Sequence, residues 1–318
     1  MPLLRAEAER LSNNTLISGI ITEIIDRDDL FSILPFVKVN SKAYVYNREN
    51  TLAGADWLDP NDTVQESAST FTEVVAKLRI LIGDVDVDKF LQATMSDHNN
   101  QLAIQIAKKA KGMGREFSKV LIQGNSTTNA KQFDGIAKLV TSDQTIDGKA
   151  SALNFAMLDE LLDKVPNGAD VLVMNRPTIR AYRQILRATS GTDAVMQMLP
   201  AFGHHMLVHQ GMPILMNEFI PMANDGTCQI YALRANELDG LHGLYGGENA
   251  GIVVENIGTV QNKDAIRTRL KWYCGLALKS TKSLACLKNV QIGAKPTTGG
   301  SGGSEGTGGN QGGTGGGN

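Results

Sequence analysis

Three histidines in one short stretch are the first residues whose type and spacing could support chemistry. His204, His205 and His209 lie close together in the chain, and imidazole nitrogens are common zinc ligands. No Cys, Asp or Glu stands nearby at a spacing familiar from zinc sites. Pro200 and Gly211 flank the stretch and disfavour a long helix with two histidines on one face. A polar loop is therefore the favoured interpretation, and a metal site is the alternative.

Three aspartates alternate with valines over Asp84–Asp88. In an extended strand, residues two apart share a face, so the three carboxylates are predicted to lie in a row. Calcium prefers carboxylate oxygens, but its loops need a turn and convergent ligands. A solvated or salt-bridged strand face is therefore favoured over a metal site.

Other signatures of catalysis are weak or missing. Gly112-Met113-Gly114 resembles part of a dinucleotide loop, but it falls inside a predicted helix and follows no strand. The sequence has no Walker A motif, GxSxG elbow or HExxH pair, and its Ser/His/Asp combinations lack a recognisable context. Cys228, Cys274 and Cys286 form no CxxC pair, so reduced and mostly buried thiols are predicted. No catalytic residue, cofactor or metal is assigned, and the chain is predicted not to be an enzyme.

Composition limits the class of protein further. The chain has 318 residues, of which 42% are hydrophobic and 20% charged, with a formal net charge of -2. This is enough apolar material for one large domain or two common ones. Dedicated DNA-binding proteins usually carry a basic excess, which is absent here. No apolar run approaches the roughly 18 to 20 residues that span a bilayer. The N-terminus lacks the hydrophobic block of a signal peptide, so a cytoplasmic protein without a membrane partner is predicted.

The first 83 residues are predicted to form an amphipathic helix and then a long hairpin. Apolar residues recur at helical spacing through Leu16, Ile20 and Ile24. Their stripe must pack either on the subunit's own core or on a neighbouring subunit, and both remain open. Strand patterns at Ala43–Tyr46 and Phe71–Ile82 then flank a polar tip of about twenty residues. A tip of that length is unusual in a compact domain and is usually functional or mobile.

The rest of the chain combines one long helix, a mixed lobe and a long strand. Asp97–Gln123 has the strongest helical periodicity. From Phe133 to about Gly258, short strands mix with helices and indicate a separate α/β lobe. Ala265–Lys279 alternates strongly, which predicts one buried face and one basic face. Ser283–Val290 is the last predicted strand. The elements expected inside the lobe are helices at 158–165 and 177–188 and strands at 171–174, 212–216, 229–233 and 252–255.

This order of elements resembles the capsid fold of tailed bacteriophages, of the Hong Kong phage type, which encapsulin nanocompartments share. Phe133–Ile136 resembles the family's "DGI" entry into the axial domain, and Ala169–Leu186 resembles its strand-then-helix. Gly211–Ile214 resembles its "G-P-V" strand opening, and Ile266–Leu278 resembles its basic returning strand. The resemblance covers about residues 10–293. It implies an α+β fold divided into an N-terminal arm at 1–39, an extended loop hairpin at 40–83, a peripheral domain with its spine helix at 84–132, an axial domain at 133–258, returning peripheral strands at 259–293 and a flexible Gly-rich tail at 294–318.

The same resemblance implies a function in assembly. The chain would form hexamers and pentamers of an icosahedral phage head around double-stranded DNA, in a virion assembled in the host cytoplasm. The arm begins almost at Met1, so a separate scaffolding protein or none is expected, together with a portal. Some members crosslink through a loop lysine. Lys42 lies near the base of the hairpin, so the crosslink is not carried over. The alternatives are an encapsulin-like shell around a protein cargo and a soluble α/β hydrolase-type enzyme.

Two hypotheses account for the basic face of the returning strand. Arg267 and Arg269 either line the shell beside packed DNA without reading its sequence, or pair with Asp84 and Asp86 of the same or a neighbouring subunit. The near-neutral net charge favours pairing. The role of the basic residues on the long helix stays open. The residues predicted at assembly interfaces are Leu16, Ile20, Ile24, Lys42, Arg48, Trp57, Asp84, Asp86, Arg267 and Arg269.

Overall fold

The computed structural model describes residues 30–51, 53–60, 62–94, 101–190, 196–199, 204–248 and 251–292. The helices are α1 Leu30–Ile33, α2 Lys89–Thr94, α3 Gln101–Gln123, α4 Ile136–Leu139, α5 Phe155–Asp163 and α6 Arg176–Ser190, with single 3-10 turns at Ser142–Gln144 and Thr281–Ser283. The strands are β1 Phe36–Lys38, β2 Ala43–Thr51, β3 Thr70–Lys77, β4 Arg79–Asp88, β5 Thr145–Asp147, β6 Val171–Met174, β7 Met196–Leu199, β8 His204–His209, β9 Met212–Met216, β10 Thr227–Leu233, β11 Leu241–Gly246, β12 Val253–Thr259, β13 Ala265–Leu278 and β14 Leu284–Gln291. None of the described helices is both long and apolar enough to cross a membrane.

A five-stranded sheet is organised around the long strand β13. Strand β4 pairs antiparallel along one edge of β13, from Ala265 to Cys274. Strands β12 and β11 pair in succession along the other edge, and β1 adds to β11 in parallel. The predicted alternation is confirmed over the middle of β13, where Thr268, Leu270 and Trp272 are buried.

The spine helix α3 packs across the inner face of this sheet. Its Phe117 ring lies 4.4 Å from the Trp272 ring, centroid to centroid. Phe36 of β1 packs against both rings. The Phe36 ring occupies the space beside Gly243 where a β-carbon would otherwise stand. This glycine therefore lets an aromatic residue from the N-terminal side of the chain reach the core.

The second lobe is a seven-stranded sheet in the order β5-β14-β10-β6-β9-β8-β7. Helices α5 and α6 cover one face, where Leu158, Leu161 and Tyr182 are buried in a common cluster. The residues of β6 that point the other way, Val171 and Val173, belong to the same core cluster as Phe117. The two sheets thus share one hydrophobic core, which fixes the lobes against each other.

Gly124 and Gly135 lie against each other where the chain passes from the spine helix to the second lobe, and this contact is called the crossing. The Gly135 amide donates to the Gly124 carbonyl at 2.9 Å. A β-carbon on Gly135 would lie 2.7 Å from the Gly124 nitrogen and closer still to the Val120 carbonyl. Asp134 accepts a hydrogen bond from the Ser126 amide at 2.7 Å. The "DGI" segment is therefore a tight backbone contact, which explains why it needs these residue types.

The structure differs from the sequence predictions in the pairing of several strands. The strand predicted at Phe71–Ile82 is divided at Leu78, and its second half pairs with β13 rather than with β2. Strands β11 and β12 belong to the five-stranded sheet rather than to the α/β lobe, and β14 belongs to the seven-stranded sheet. Pairing partners distant in sequence leave no mark on a local alternation pattern, so these assignments were wrong. The arm helix and the Gly-rich tail lie outside the described residues.

Candidate assembly surfaces

The outer face of the five-stranded sheet carries a ladder of ion pairs. The register sets Arg267 directly opposite Asp86 and Arg269 directly opposite Asp84. Each guanidinium donates two hydrogen bonds to its carboxylate, at 2.6 and 2.7 Å for Arg267 and at 2.8 and 2.9 Å for Arg269. These bonds, opposed by partial desolvation, hold the pKa of both carboxyl groups below their usual value. The pairing predicted from charge balance is therefore present, and it lies within one subunit.

The third aspartate of the row has a different role. Asp88 accepts a hydrogen bond from the Phe90 amide at 2.8 Å, at the start of α2. The carboxylates at 84, 86 and 88 therefore do not converge on one point. Within the described residues, no group of three or more His, Cys, Asp or Glu side chains is arranged to hold a metal ion.

An apolar patch continues the ladder along the same face. The pair that follows Arg269 and Asp84 on this face is Lys271 opposite Ile82. The pair after that is Tyr273 opposite Ile80. Ile80 is 66% exposed and Ile82 is 51% exposed. Lys271 pairs with Glu255 on the next strand at 2.9 Å. The face thus joins exposed isoleucines to a charged border, a combination typical of protein–protein contact surfaces.

The hairpin of β2 and β3 is anchored to the rest of the subunit near its base. The Tyr46 hydroxyl donates to the Leu278 carbonyl at 2.6 Å. Arg48 donates to the carbonyls of Leu278 and Lys279 at 2.7 and 2.8 Å. Arg48, predicted at an interface, is thus engaged within its own subunit at the end of β13. The opposite face of the hairpin from Tyr46 and Arg48 carries the exposed apolar residues Val45, Phe71 and Val75.

The hairpin tip is acidic and bears an uncovered tryptophan. Trp57 is 102% exposed and Val64 is 71% exposed. Between Arg48 and Lys77 the sequence has no Lys, Arg or His. Its carboxylates in that interval are Glu49, Asp56, Asp59, Asp62, Glu66 and Glu73. The sequence pattern predicts a polar tip, and a count of charges along the segment also shows that all of its charges are negative.

The remaining predicted interface residues are placed as follows. Lys42 is exposed at the hairpin base, and its carbonyl accepts from the Leu78 amide at 3.3 Å. Leu16, Ile20 and Ile24 lie outside the described residues. On the spine helix, the Lys109 side chain lies across Gly83, beside Asp84, and its charge contributes to lowering the pKa of Asp84.

The histidines and cysteines take structural positions. The polar loop predicted at His204–His209 is instead strand β8. His209 is buried, with Nε2 2.9 Å from Asp159 and Nδ1 3.2 Å from the Tyr182 hydroxyl. All three cysteines are free and buried, as predicted. Burial raises the pKa of Cys274 and of Cys286 to about 12, which keeps these thiols protonated and unreactive.

A two-lobed subunit with a projecting hairpin and an uncovered sheet face is suited to contacts with further copies of itself. The chain belongs to the phage capsid family, whose model matches residues 10–288. It is a shell-forming subunit with a structural role. No curated protein matches the sequence significantly.

Solved structures of similar fold come from an encapsulin complex, from GTA particles and from phages. The chain is similar to a subunit of the holo-SrpI encapsulin complex from Synechococcus elongatus PCC 7942, with 23% identity, a TM-score of 0.71 and coverage of 92% of this chain and 97% of that one. It is also similar to the capsid of an empty GTA particle, with 15% identity, a TM-score of 0.68 and coverage of 90% and 97%. For Microbacterium phage Oxtober96 the values are 13%, 0.64, 92% and 100%. At these identities the likeness concerns the fold.

Proposed function

We propose that this chain forms hexamers and pentamers that close into the icosahedral head of a tailed phage around double-stranded DNA. The observation that carries the proposal is the hairpin that projects from the subunit. At its tip, Trp57 and Val64 are not covered by any other part of the described chain. Exposed apolar residues at the end of a long projection gain from burial only when another copy supplies a surface. A closed ring has no terminal copy, so it satisfies this requirement for every subunit.

The sheet face with Ile80 and Ile82 is the proposed counterpart on the neighbouring copy. Its ion-pair ladder holds β4 against β13 and so keeps both isoleucines in register on the outside. The acidic tip of an arriving hairpin would meet Lys271 at the border of the apolar patch and would share its ammonium group with Glu255. Charge of opposite sign at such a border guides encounter and register more than it adds affinity.

The wider partners follow from this proposal. A separate scaffolding protein and a portal would direct assembly in the host cytoplasm, and the finished chain would be part of the virion. The arm residues Leu16, Ile20 and Ile24 are proposed to pack on a neighbouring subunit. DNA would be enclosed without sequence reading, since nothing in the near-neutral chain calls for specific recognition.

An encapsulin-like shell around a protein cargo is the second candidate. It is favoured by the similarity to the encapsulin subunit, which covers 92% of this chain. Electron microscopy of the full-length recombinant chain, followed by analysis of the particle contents, tests both candidates. Closed icosahedral particles are expected. A compact monomer that forms no particles under any condition would overturn the shell itself. Particles that, when isolated from the natural source, hold an enzyme and no DNA would replace the phage head with the nanocompartment.

A further inference from the structure

The exposed side of helix α6 carries four arginines in one row. Arg176, Arg180, Arg183 and Arg187 follow one another at intervals of four, three and four residues, so they share one face of the helix. All four are exposed, and the helix contains no Asp or Glu. The residues that α6 buries lie on its opposite side: Thr178, Ala181 and Tyr182.

This arginine stripe is only partly neutralised within the subunit. Arg176, at its first end, pairs with Glu218 at 3.1 Å. In the described part of the chain, no ion pair joins Arg180 or Arg183 to a carboxylate. The stripe differs in this respect from the ladder on β13, where Arg267 and Arg269 each hold a carboxylate through two hydrogen bonds.

The neighbouring helix α5 determines the direction in which a polyanion could lie along the stripe. Helices α5 and α6 lie on the same face of the seven-stranded sheet, and Phe155 of α5 contacts Tyr182 of α6 with ring centroids 5.7 Å apart. The exposed side of α5 is acidic, with Glu160 and Asp163. A polyanion would therefore be repelled from α5 and would follow the axis of α6 rather than cross both helices.

We propose that the arginine stripe of α6 binds the phosphate backbone of double-stranded DNA without reading its sequence. The inference rests on the proposed function, which supplies enclosed DNA as the polyanion. A planar guanidinium donates two parallel hydrogen bonds to a phosphate, a geometry that lysine cannot match. The eleven residue-to-residue steps from Arg176 to Arg187 span about 16 Å of helix axis. One DNA strand carries a phosphate about every 3.4 Å of its axis, so the stripe can follow four or five of them.

The test measures binding of the full-length chain, as unassembled subunits, to a 30-base-pair duplex of random sequence over a range of NaCl concentrations. The variant Arg180→Gln/Arg183→Gln removes two charges from the stripe. The matched control, Lys138→Gln/Lys282→Gln, removes two exposed positive charges elsewhere. Each lost phosphate contact lowers the slope of log K against log salt by about 0.9. We therefore expect the arginine variant to lower the slope by about two and to bind about tenfold or more weakly at low salt, while the control keeps the wild-type values.

Two further measurements keep the outcome interpretable. Arg180→Lys/Arg183→Lys is expected to retain the salt slope and lose part of the affinity, because charge remains and the bidentate geometry does not. Equal losses in the arginine variant and the lysine control, or no binding by the wild-type chain, would overturn the inference. So would arginine variants that bind DNA normally but stop shells from closing, because the stripe would then contact acidic residues of another copy. Failure of the wild-type chain to form particles bears on the proposed function alone, since duplex binding is measured on subunits.

Discussion

Arg267 holds Asp86 across two neighbouring strands through paired hydrogen bonds of 2.6 and 2.7 Å. The register repeats the arrangement two residues further on, where Arg269 meets Asp84. Because both pairs lie inside one subunit, the basic face of β13 is used first to hold the sheet together. Opposite charges that face each other directly across two strands stabilise the register in which they meet. Like charges at the same positions destabilise that register.

Reversing the charges of this ladder should therefore weaken the subunit before it affects any partner. In Arg267→Glu/Arg269→Glu, four carboxylates would face one another, and we expect a lower thermal midpoint and loss of closed particles. Adding Asp84→Lys and Asp86→Lys should restore both, because opposite charges again face each other. Thermal unfolding of subunits and electron microscopy measure the two effects. Lys138→Glu/Lys282→Glu is the control for net charge. A quadruple variant no more stable than the double variant would contradict the pairing.

Glycines of the spine-helix region should respond in opposite ways to alanine. At Gly135 a β-carbon would lie 2.7 Å from the Gly124 nitrogen and 2.9 Å from the Leu121 carbonyl. Overpacking of this kind usually costs about 1–3 kcal/mol, so Gly135→Ala should lower the free energy of unfolding by that amount. Gly114 lies within α3 with nothing within 4 Å of a new β-carbon. There, alanine should stabilise by about 0.5–1 kcal/mol. Denaturant titration checks both signs, and a neutral Gly135→Ala would show that the crossing can relax.

The hairpin base should loosen in mild acid. His242 is fully buried, packs edge-on against Tyr44 with centroids 5.7 Å apart, and has its pKa lowered by burial. The unfolded chain therefore takes up this proton at higher pH than the folded one. Stability due to neutral His242 is complete above about pH 6.5 and is lost as pH falls from there through the folded pKa. His242→Gln should reduce the loss of thermal midpoint between pH 7 and pH 5. An identical loss in the variant would assign the effect to other groups.

The sequence predicted those elements whose signal is local. The periodicities of α3 and β13 are long and regular, and both elements were placed within a few residues. The break at Leu78 was missed because apolar alternation runs unbroken from Val74 to Ile82 while the pairing partner changes from β2 to β13. Strand β11 was missed because its glycines weaken a strand pattern, although Gly243 is what admits Phe36. The His209 contacts with Asp159 and Tyr182 join residues far apart in the chain, which no spacing rule detects.

The charged surfaces also differ in how much of them can be predicted from a local sequence pattern. The ladder could be predicted because alternating Asp and alternating Arg are each visible in one strand. The stripe of α6 and the acidic tip could also have been found by counting charges along a helix face and along a loop. Their role depends on what surrounds them, since exposed charge is available to a partner only when no carboxylate or cation of the same subunit neutralises it.

The last prediction concerns the hairpin tip, which carries the proposal of assembly. Replacing Asn50–Thr70 with a two-residue Asn-Gly turn leaves Glu49 opposite Phe71 as the closing pair and keeps the rest of both strands and the anchor at Tyr46 and Arg48. Because the removed residues are almost all exposed, the thermal midpoint of the subunit should stay close to that of the wild type. Closed particles should nevertheless be lost, since the surface that neighbouring copies would cover is gone. Electron microscopy and sedimentation of purified protein measure the loss.

A point variant separates the tryptophan from the length of the hairpin. Trp57→Ser should reduce particle yield strongly, because a fully exposed indole offers a large apolar area to a neighbouring copy at little entropic cost. Leu238→Ser is the matched control, since Leu238 is also large, apolar and 85% exposed but belongs to the segment between β10 and β11 and not to the hairpin tip. Asp56→Asn/Asp59→Asn/Asp62→Asn should slow assembly most at low ionic strength, where charge steering is strongest. Normal particles from the turn-replaced chain, or equal losses from Trp57→Ser and Leu238→Ser, would show that the tip is not the contact that closes the shell.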